Sequence, residues 1–371
     1  MAIKKVGREN YAYYGKYKKY DGTYKNYYKS GYRTKKEASR SEEAFLLGIK
    51  NCDNEITFGE LVDMFNERSI SMNIKESTIV GYESYYKNHL EYYFSKKKVS
   101  KITPQEIELW KMDMIKKKKH DGNTYSSSTI NHAKNVLSKY LSYASQLGII
   151  QYNPCNKVSK YTNPDEIIRK RNDDENFWEI DEFRKFIDSV DDPYWNLVFT
   201  FLFETGMREG ELFALTWNDI DFKNQTISIN KSITSKTHQN TFKVTTPKNI
   251  NSYRTIDMSS TLFNRIFTHL EKQKRKDGYC TDYYVFGDVT PLSRSHMARY
   301  LDKYIEMSKV KRITPHGFRH SHATFLIQNS IDDSLIADRL GHTVNELRKT
   351  YAHIYKSMHN DMRTKLDDLY Y

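Results

Sequence analysis

The sequence predicts a multidomain α+β chain. It has a small N-terminal three-stranded sheet plus one helix, an all-helical middle, and a mainly helical C-terminal domain with a small antiparallel sheet. Three observations carry this reading. A chain of 371 residues exceeds what one hydrophobic core usually serves. The apolar pattern changes along the chain, from alternating aromatic residues to helical spacing and then to a mixture of helices and short β runs. Charge is uneven as well: of a net +12, residues 1–50 carry +8, from 13 Lys and Arg against 5 Asp and Glu.

The first module, residues 1–52, holds nine tyrosines between Tyr11 and Tyr32. Aromatic and polar residues alternate there around Asp21-Gly22, a hairpin signal, and Ser30-Gly31 gives a second turn signal. Thr34-Lys35-Lys36-Glu37 is a capping box that opens a helix through Ala38, Phe45 and Leu46. The second module, 56–160, is helical. Phe58, Leu61, Val62 and Phe65 share one face, as do Ile130, Ala133, Leu137, Tyr140, Leu141 and Ala144. Thr103-Pro104-Gln105-Glu106 supplies an N-cap, a first-turn proline and a glutamate three past the cap. The lysine runs Lys96–Lys98 and Lys116–Lys119 suit a solvated face or a phosphate backbone equally.

Residues 161–176 are polar and unpatterned and read as a linker. In the last module, 177–371, Leu197–Phe203 is apolar nearly all round and predicts a buried helix. Thr226–Thr234, Thr241–Thr246 and Tyr253–Met258 read as three short strands, after which helices return.

Composition narrows the function. A pI near 9.2 points to an anionic partner such as nucleic acid. No apolar run reaches the roughly 18 residues of a membrane span, and the N-terminus lacks a secretory stretch. Cys52, Cys155 and Cys280 stand far apart with no C-x-x-C pair, which suits reduced thiols in a cytoplasm rather than a disulfide framework or a zinc site.

The C-terminal half carries a spaced polar array. Arg208 lies in Thr-Gly-Met-Arg-Glu-Gly-Glu-Leu, where Gly206 ends the buried helix and Glu211 begins the next. Lys248 lies in Thr-Pro-Lys-Asn-Ile-Asn-Ser-Tyr-Arg-Thr-Ile, at the turn between two strands. His316 and Arg319 lie in Thr-Pro-His-Gly-Phe-Arg-His, with Thr314 as N-cap and Pro315 as the first helical residue. Leu340-Gly341-His342 is a helix end with its glycine, and Tyr351 follows nine residues later.

Arginines and histidines gathered at a helix N-terminus suit a phosphodiester, because backbone N–H groups and the dipole favour an anion there. Arginine adds planar, two-point contacts to phosphate oxygens. A phenol, with a pKa of about 10, is a poor nucleophile at neutral pH and needs an oriented phosphate and a proton acceptor. A lysine in a mobile turn can protonate a leaving oxygen.

The array resembles the tyrosine recombinase signature of Arg, Lys, His-x-x-Arg, Leu-Gly-His and Tyr found in phage and conjugative-transposon integrases, over about residues 175–371. The upstream modules resemble that family's arm-binding domain and helical, SAM-like core-binding domain. The resemblance implies that Arg208 and Arg319 clamp the scissile phosphate with support from Glu211. It also makes Lys248 the general acid, His316 a proton-handling group, His342 a donor to the phosphate and Tyr351 the nucleophile that forms a 3′-phosphotyrosine. It further implies duplex DNA attachment sites as substrate, a homotetramer on DNA, no cofactor, no metal and no ATP. An excision or directionality factor and a host DNA-bending protein are the accessory partners that fit. The expected setting is the bacterial cytoplasm, away from membranes.

Each residue also has a plainer reading. Arg208 alone would be a helix-start arginine and Lys248 a solvated turn lysine. His316 and His320, at i and i+4, invite a metal reading together with His322, but Gly317 stands where an H-E-x-x-H motif needs its glutamate. Tyr355, Tyr370 and Tyr371 compete with Tyr351, and the step from His342 selects Tyr351. Two other functions remain: a catalytically idle DNA-binding regulator on the same fold, which the intact array disfavours, and a type IB topoisomerase-like enzyme, which the small N-terminal module disfavours.

Overall fold

The alternating aromatics of the N-terminus form a sheet because their pleat gives tyrosine one covered face. The computed structural model describes residues 2–8, 10–18, 24–52, 56–166, 176–235, 237–239, 241–247 and 250–356. The Asp21-Gly22 turn lies outside them. Strands β1 (Ala2–Gly7), β2 (Asn10–Lys18) and β3 (Tyr24–Tyr32) pair antiparallel in chain order. Tyr13, 1% exposed, stacks on Tyr32 and meets Tyr27 and Phe45, the last from helix α1 (Lys35–Cys52). Ser30-Gly31 is not a turn. It lies inside β3 where the register with β2 shifts, and Gly31 takes φ +104° while its N–H donates to Asn10 Oδ1. The same conformational freedom that suits a turn here makes a bulge. The Thr34 cap forms as the sequence indicates, with Glu37 N–H donating to Thr34 Oγ1 at 3.1 Å.

Two compact units divide the chain, Met1–Arg169 and Lys170–Tyr371. In the first, α2 (Phe58–Ser71), α3 (Glu76–Tyr85), α4 (Glu91–Phe94), α5 (Pro104–Lys116) and α6 (Ser127–Gln146) enclose Phe58, Leu61, Trp110, Leu137 and Tyr140. A π-helical turn, Tyr86–Leu90, joins α3 to α4. Thr103 and Glu106 exchange the two bonds of a capping box at the start of α5. Part of the expected linker belongs to this bundle. Asn131 on α6 binds both the N–H and the carbonyl of Tyr161, and Glu166 accepts from the N–H of Ser127.

The second unit is built on α7 (Ile180–Asp188) and the buried helix α8 (Pro193–Thr205), where Phe183 stacks on Phe203 with centroids 3.7 Å apart. Gly206 ends α8 in the left-handed region, φ +61°. Helix α9 (Glu209–Ala214) then begins at Glu209, so Glu211 sits three residues past the N-cap Arg208 and does not open the helix.

The β region differs from the three expected strands. Thr226–Thr234 breaks into β5 (Thr226–Ile229) and β6 (Ser232–Thr234), which join different sheets. β5 lies between β4 (Ile220–Asp221) and β8 (Arg254–Asp257), while β6 pairs with β7 (Lys243–Thr245). The break falls at Asn230 and Lys231, whose side chains bind Asp219 and Thr216.

Helices α10 (Ser260–Lys274), α11 (Arg294–Ser308), α12 (Pro315–Gln328), α13 (Asp333–Leu340) and α14 (Val344–Thr350) complete the unit. Phe177, Ala323, Ile336, Leu340 and Leu347 form a second apolar cluster around Tyr351. Thr314 holds the N-cap position of α12, but its hydroxyl does not cap; it accepts from Asn176 Nδ2. Among the described residues no helix is long and apolar enough to cross a membrane.

Candidate active site

Arg208 stands at the N-terminus of α9, and Glu211 holds it there. The Arg208 N–H donates to Glu211 Oε2 at 2.9 Å, and its Nη1 donates to Oε1 at 2.8 Å. A third of the Arg208 side chain remains exposed, so it keeps donors for a ligand. Glu211 is 4% exposed, and burial alone would raise its pKa. Arg254 reverses this by binding both carboxylate oxygens, at 3.1 and 2.8 Å, and with Arg208 brings the pKa to about 2. Arg254 in turn donates Nε to the Arg339 carbonyl at 2.7 Å. The carboxylate therefore ties α9, β8 and the end of α13 together.

Arg319 enters from α12 and is 1% exposed. Its Nη1 donates to the Gly206 carbonyl at 2.9 Å, and its Nη2 donates to the Leu340 carbonyl and to His342 Nε2, the latter at 2.9 Å. Both glycine-ended helices thus present carbonyls to one guanidinium. Burial first, then Arg208 and Arg254, push its pKa down, which marks the pocket as electropositive. Because His342 Nε2 accepts, its proton resides on Nδ1, which is buried with no partner. Burial, Arg319 and Arg208 lower the His342 pKa to about 4.

Tyr351 follows α14 and is 2% exposed. Its hydroxyl lies 3.0 Å from His320 Nδ1. Burial pushes the phenol up to about 12 against the pull of Arg319. His320 is lowered to about 4 by burial, then by His316, Arg319 and His353, so it is neutral and able to accept at neutral pH. His316, one turn earlier and exposed, sets its ring at 87° to that of His320 with centroids 4.6 Å apart. Tyr355 is engaged elsewhere, its hydroxyl donating to Asp333 Oδ1.

The structure brings Arg208, Glu211, His316, Arg319, His342 and Tyr351 into one region of the second unit. Lys248 lies outside the described residues. Three participants went unrecognised in the sequence: Arg254, His320 as the partner of Tyr351, and Arg339. The last donates to His322 Nε2 and to the carbonyls of Asp257 and Glu204. Their partners lie far away in the chain, so no local pattern marks them. His322 is buried and committed to Arg339, and His320 to Tyr351. Among the described residues no group of three or more His, Cys, Asp or Glu side chains is placed to hold a metal.

This geometry defines a basic, largely buried pocket with a phenol at its edge. Residues 177–358 match the phage integrase family, and residues 57–115 match the N-terminal SAM-like domain of phage integrases. The ICEBs1 integrase of Bacillus subtilis is 31% identical over 316 residues, covering 81% of this chain and 82% of that one. A XerC-like tyrosine recombinase of Caldanaerobacter subterraneus is 28% identical and covers 91% and 90%. In fold, the Tn1549 transposon integrase bound to circular-intermediate DNA aligns with a TM-score of 0.65 at 20% identity, covering 83% of this chain and 99% of that one. A lambda integrase tetramer on a Holliday junction aligns at 0.57 with 17% identity, covering 92% and 95%. The chain belongs to the phage integrase family and is a tyrosine-type, site-specific DNA recombinase.

Proposed function

We propose that the chain integrates and excises a mobile element by cutting and resealing duplex DNA at attachment sites, with Tyr351 as nucleophile. One observation carries the assignment. The Tyr351 hydroxyl is bonded to His320, next in sequence to the buried Arg319, whereas Tyr355 is bonded to Asp333. Arg208 and Arg319 hold the scissile phosphate, with Arg208 oriented by Glu211. Charge that builds on the phosphate oxygens during attack meets the exposed donors of Arg208, already in place. His342 contributes a further donor, Lys248 protonates the leaving 5′ oxygen, and His316 handles protons at the exposed edge. The phosphotyrosine conserves the bond energy, so no ATP is consumed, and arginines neutralise the phosphate, so no metal or other cofactor is needed.

In this reading residues 1–52 bind arm-type sites, 56–160 form the core-binding domain, 161–176, whose first residues pack on that bundle, link the two halves, and 177–371 catalyse. A tetramer of the kind seen for lambda integrase on a Holliday junction serves two duplexes. An excision factor and a host DNA-bending protein complete the reaction on DNA in the bacterial cytoplasm. An idle regulator would lack the engaged tyrosine, and a topoisomerase would need only one duplex. The test is a nicked attachment-site duplex that traps the covalent intermediate. Wild type accumulates protein–DNA adduct and Tyr351→Phe accumulates none; adduct from the Phe variant overturns the assignment.

A further inference from the structure

We infer that His320, not His316, takes the proton from the Tyr351 hydroxyl as that oxygen attacks phosphorus, which rests on Tyr351 being the nucleophile. Tyr351 is 2% exposed, so a proton leaving its oxygen must pass to a protein group. His320 Nδ1 is that group, 3.0 Å away and within direct transfer distance. His316, one turn earlier on α12, sets its ring against the His320 ring.

The groups around His320 explain why it is held ready. Arg319, His316 and His353 all disfavour a second positive charge there, and burial adds to the effect. His320 is therefore neutral with a lone pair to offer. An entering phosphodiester brings negative charge beside Arg319 and Arg208. That charge offsets the repulsion and raises the basicity of His320 when the substrate is bound.

The step balances without another reactant. The Tyr351 O–H bond breaks and an N–H bond forms at His320 Nδ1. The phenolate lone pair forms the bond to phosphorus as the P–O5′ bond breaks, and the departing oxygen takes its proton from Lys248. Resealing runs in reverse: the 5′ hydroxyl gives its proton back to Lys248 as its oxygen attacks phosphorus, the phenolate leaves, and His320 returns the proton to it.

The test compares full-length wild type, His320→Asn, His320→Ala and Tyr351→Phe in single-turnover adduct formation on a nicked duplex, with DNA binding measured in parallel. An asparagine amide can accept the tyrosine hydrogen bond but cannot hold a proton. His320→Asn should therefore bind DNA like wild type and cleave about 10²–10⁴-fold more slowly. Added imidazole should restore much of the rate to His320→Ala. Cleavage by His320→Asn within roughly threefold of wild type, far short of the loss expected for a missing base, overturns the inference. So does a DNA-binding His320→Ala that imidazole leaves unchanged. Tyr351→Phe separates the two claims: adduct from that variant would sink the nucleophile itself, whereas its absence beside an active His320→Asn sinks the histidine alone.

Discussion

Arg319 donates Nη2 to His342 Nε2 at 2.9 Å, and the same nitrogen donates to the Leu340 carbonyl. A guanidinium makes two-point contacts through either Nε with Nη2 or Nη1 with Nη2. With both Nη2 protons engaged, neither fork is open, so a phosphate must displace His342 before Arg319 grips it at two points. His342→Phe removes this acceptor together with the phosphate donor proposed for His342. This variant should bind uncleavable DNA at least as tightly as wild type while cutting about 10²–10³-fold more slowly. Weaker binding with unchanged cleavage would contradict the displacement.

Arg254 supports a second prediction, and it shows where sequence reading ran out. The glycine-ended helices at Gly206 and Gly341, the Thr103 capping box and the buried α8 were all legible, because each rests on residues a few positions apart. Arg254 binds Glu211 from 43 residues away, and Arg339 reaches the Glu204 carbonyl across 135. Neither spacing leaves a local trace. Thr226–Thr234 read as one strand because β propensity cannot show that Asn230 and Lys231 are drawn to Asp219. Ser30-Gly31 read as a turn because glycine serves a bulge equally well.

Removing Arg254 leaves Glu211, with a side chain 3% exposed, short of its two-point partner. Breaking one side of such a pair typically costs about 3–5 kcal/mol. Arg254→Met should lower stability by that order in urea unfolding and abolish cleavage. Adding Glu211→Leu should recover most of the stability but not the cleavage, since Arg208 would still lack its anchor. Recovery of both would show that Glu211 does not position Arg208.

His322 gives the stability an acid limb. Burial, then Arg339 and Arg319, lower its pKa to about 3. An unfolded histidine titrates near 6.5, so the unfolded chain binds the proton first. Stability is full above that pH and falls as pH drops toward 3. By pH 5 the accumulated loss is about 2 kcal/mol for this one group, the slope approaching about 1.4 kcal/mol per pH unit below 6.5. His320 and His342, both lowered to about 4, act in the same direction. Urea midpoints by tryptophan emission should decline over this range, and less steeply in His322→Gln. Parallel profiles for the two proteins would remove His322 from the account.

Chelation tests the side-chain clamp. Arg319, Arg208 and Arg254 supply the positive charge of the pocket, while His320 is committed to Tyr351 and His322 to Arg339. Adduct formation should proceed unchanged in excess EDTA. Loss under chelation that zinc or magnesium restores would revive a metal centre at the histidines.

The N-terminal sheet leads to the last prediction. Tyr14 and Tyr28 pair directly across β2 and β3, and both are exposed, as is Tyr24 near the far end of β3. Lys16 lies two residues from Tyr14 along β2, on the same face, opposite Asn26. The other face packs Tyr13 and Tyr27 against Phe45 of α1. One face therefore holds the sheet together, while the other offers rings and cations to a partner. A groove-reading surface needs both, since phosphate contacts position and base-edge contacts specify. Replacing Lys16 by Gln should weaken binding to arm-containing DNA and lower the slope of log K against log salt by about 0.9 for each phosphate no longer neutralised. Replacing Tyr28 by Ala should leave the salt slope unchanged but reduce discrimination between arm and unrelated sequences. Core-site cleavage should survive both changes, because the proposed catalytic residues begin at Arg208, far along the chain from this sheet. Footprints of the two variants and wild type on an attachment-site fragment decide the matter: identical arm-region protection in all three would show that this face does not bind DNA.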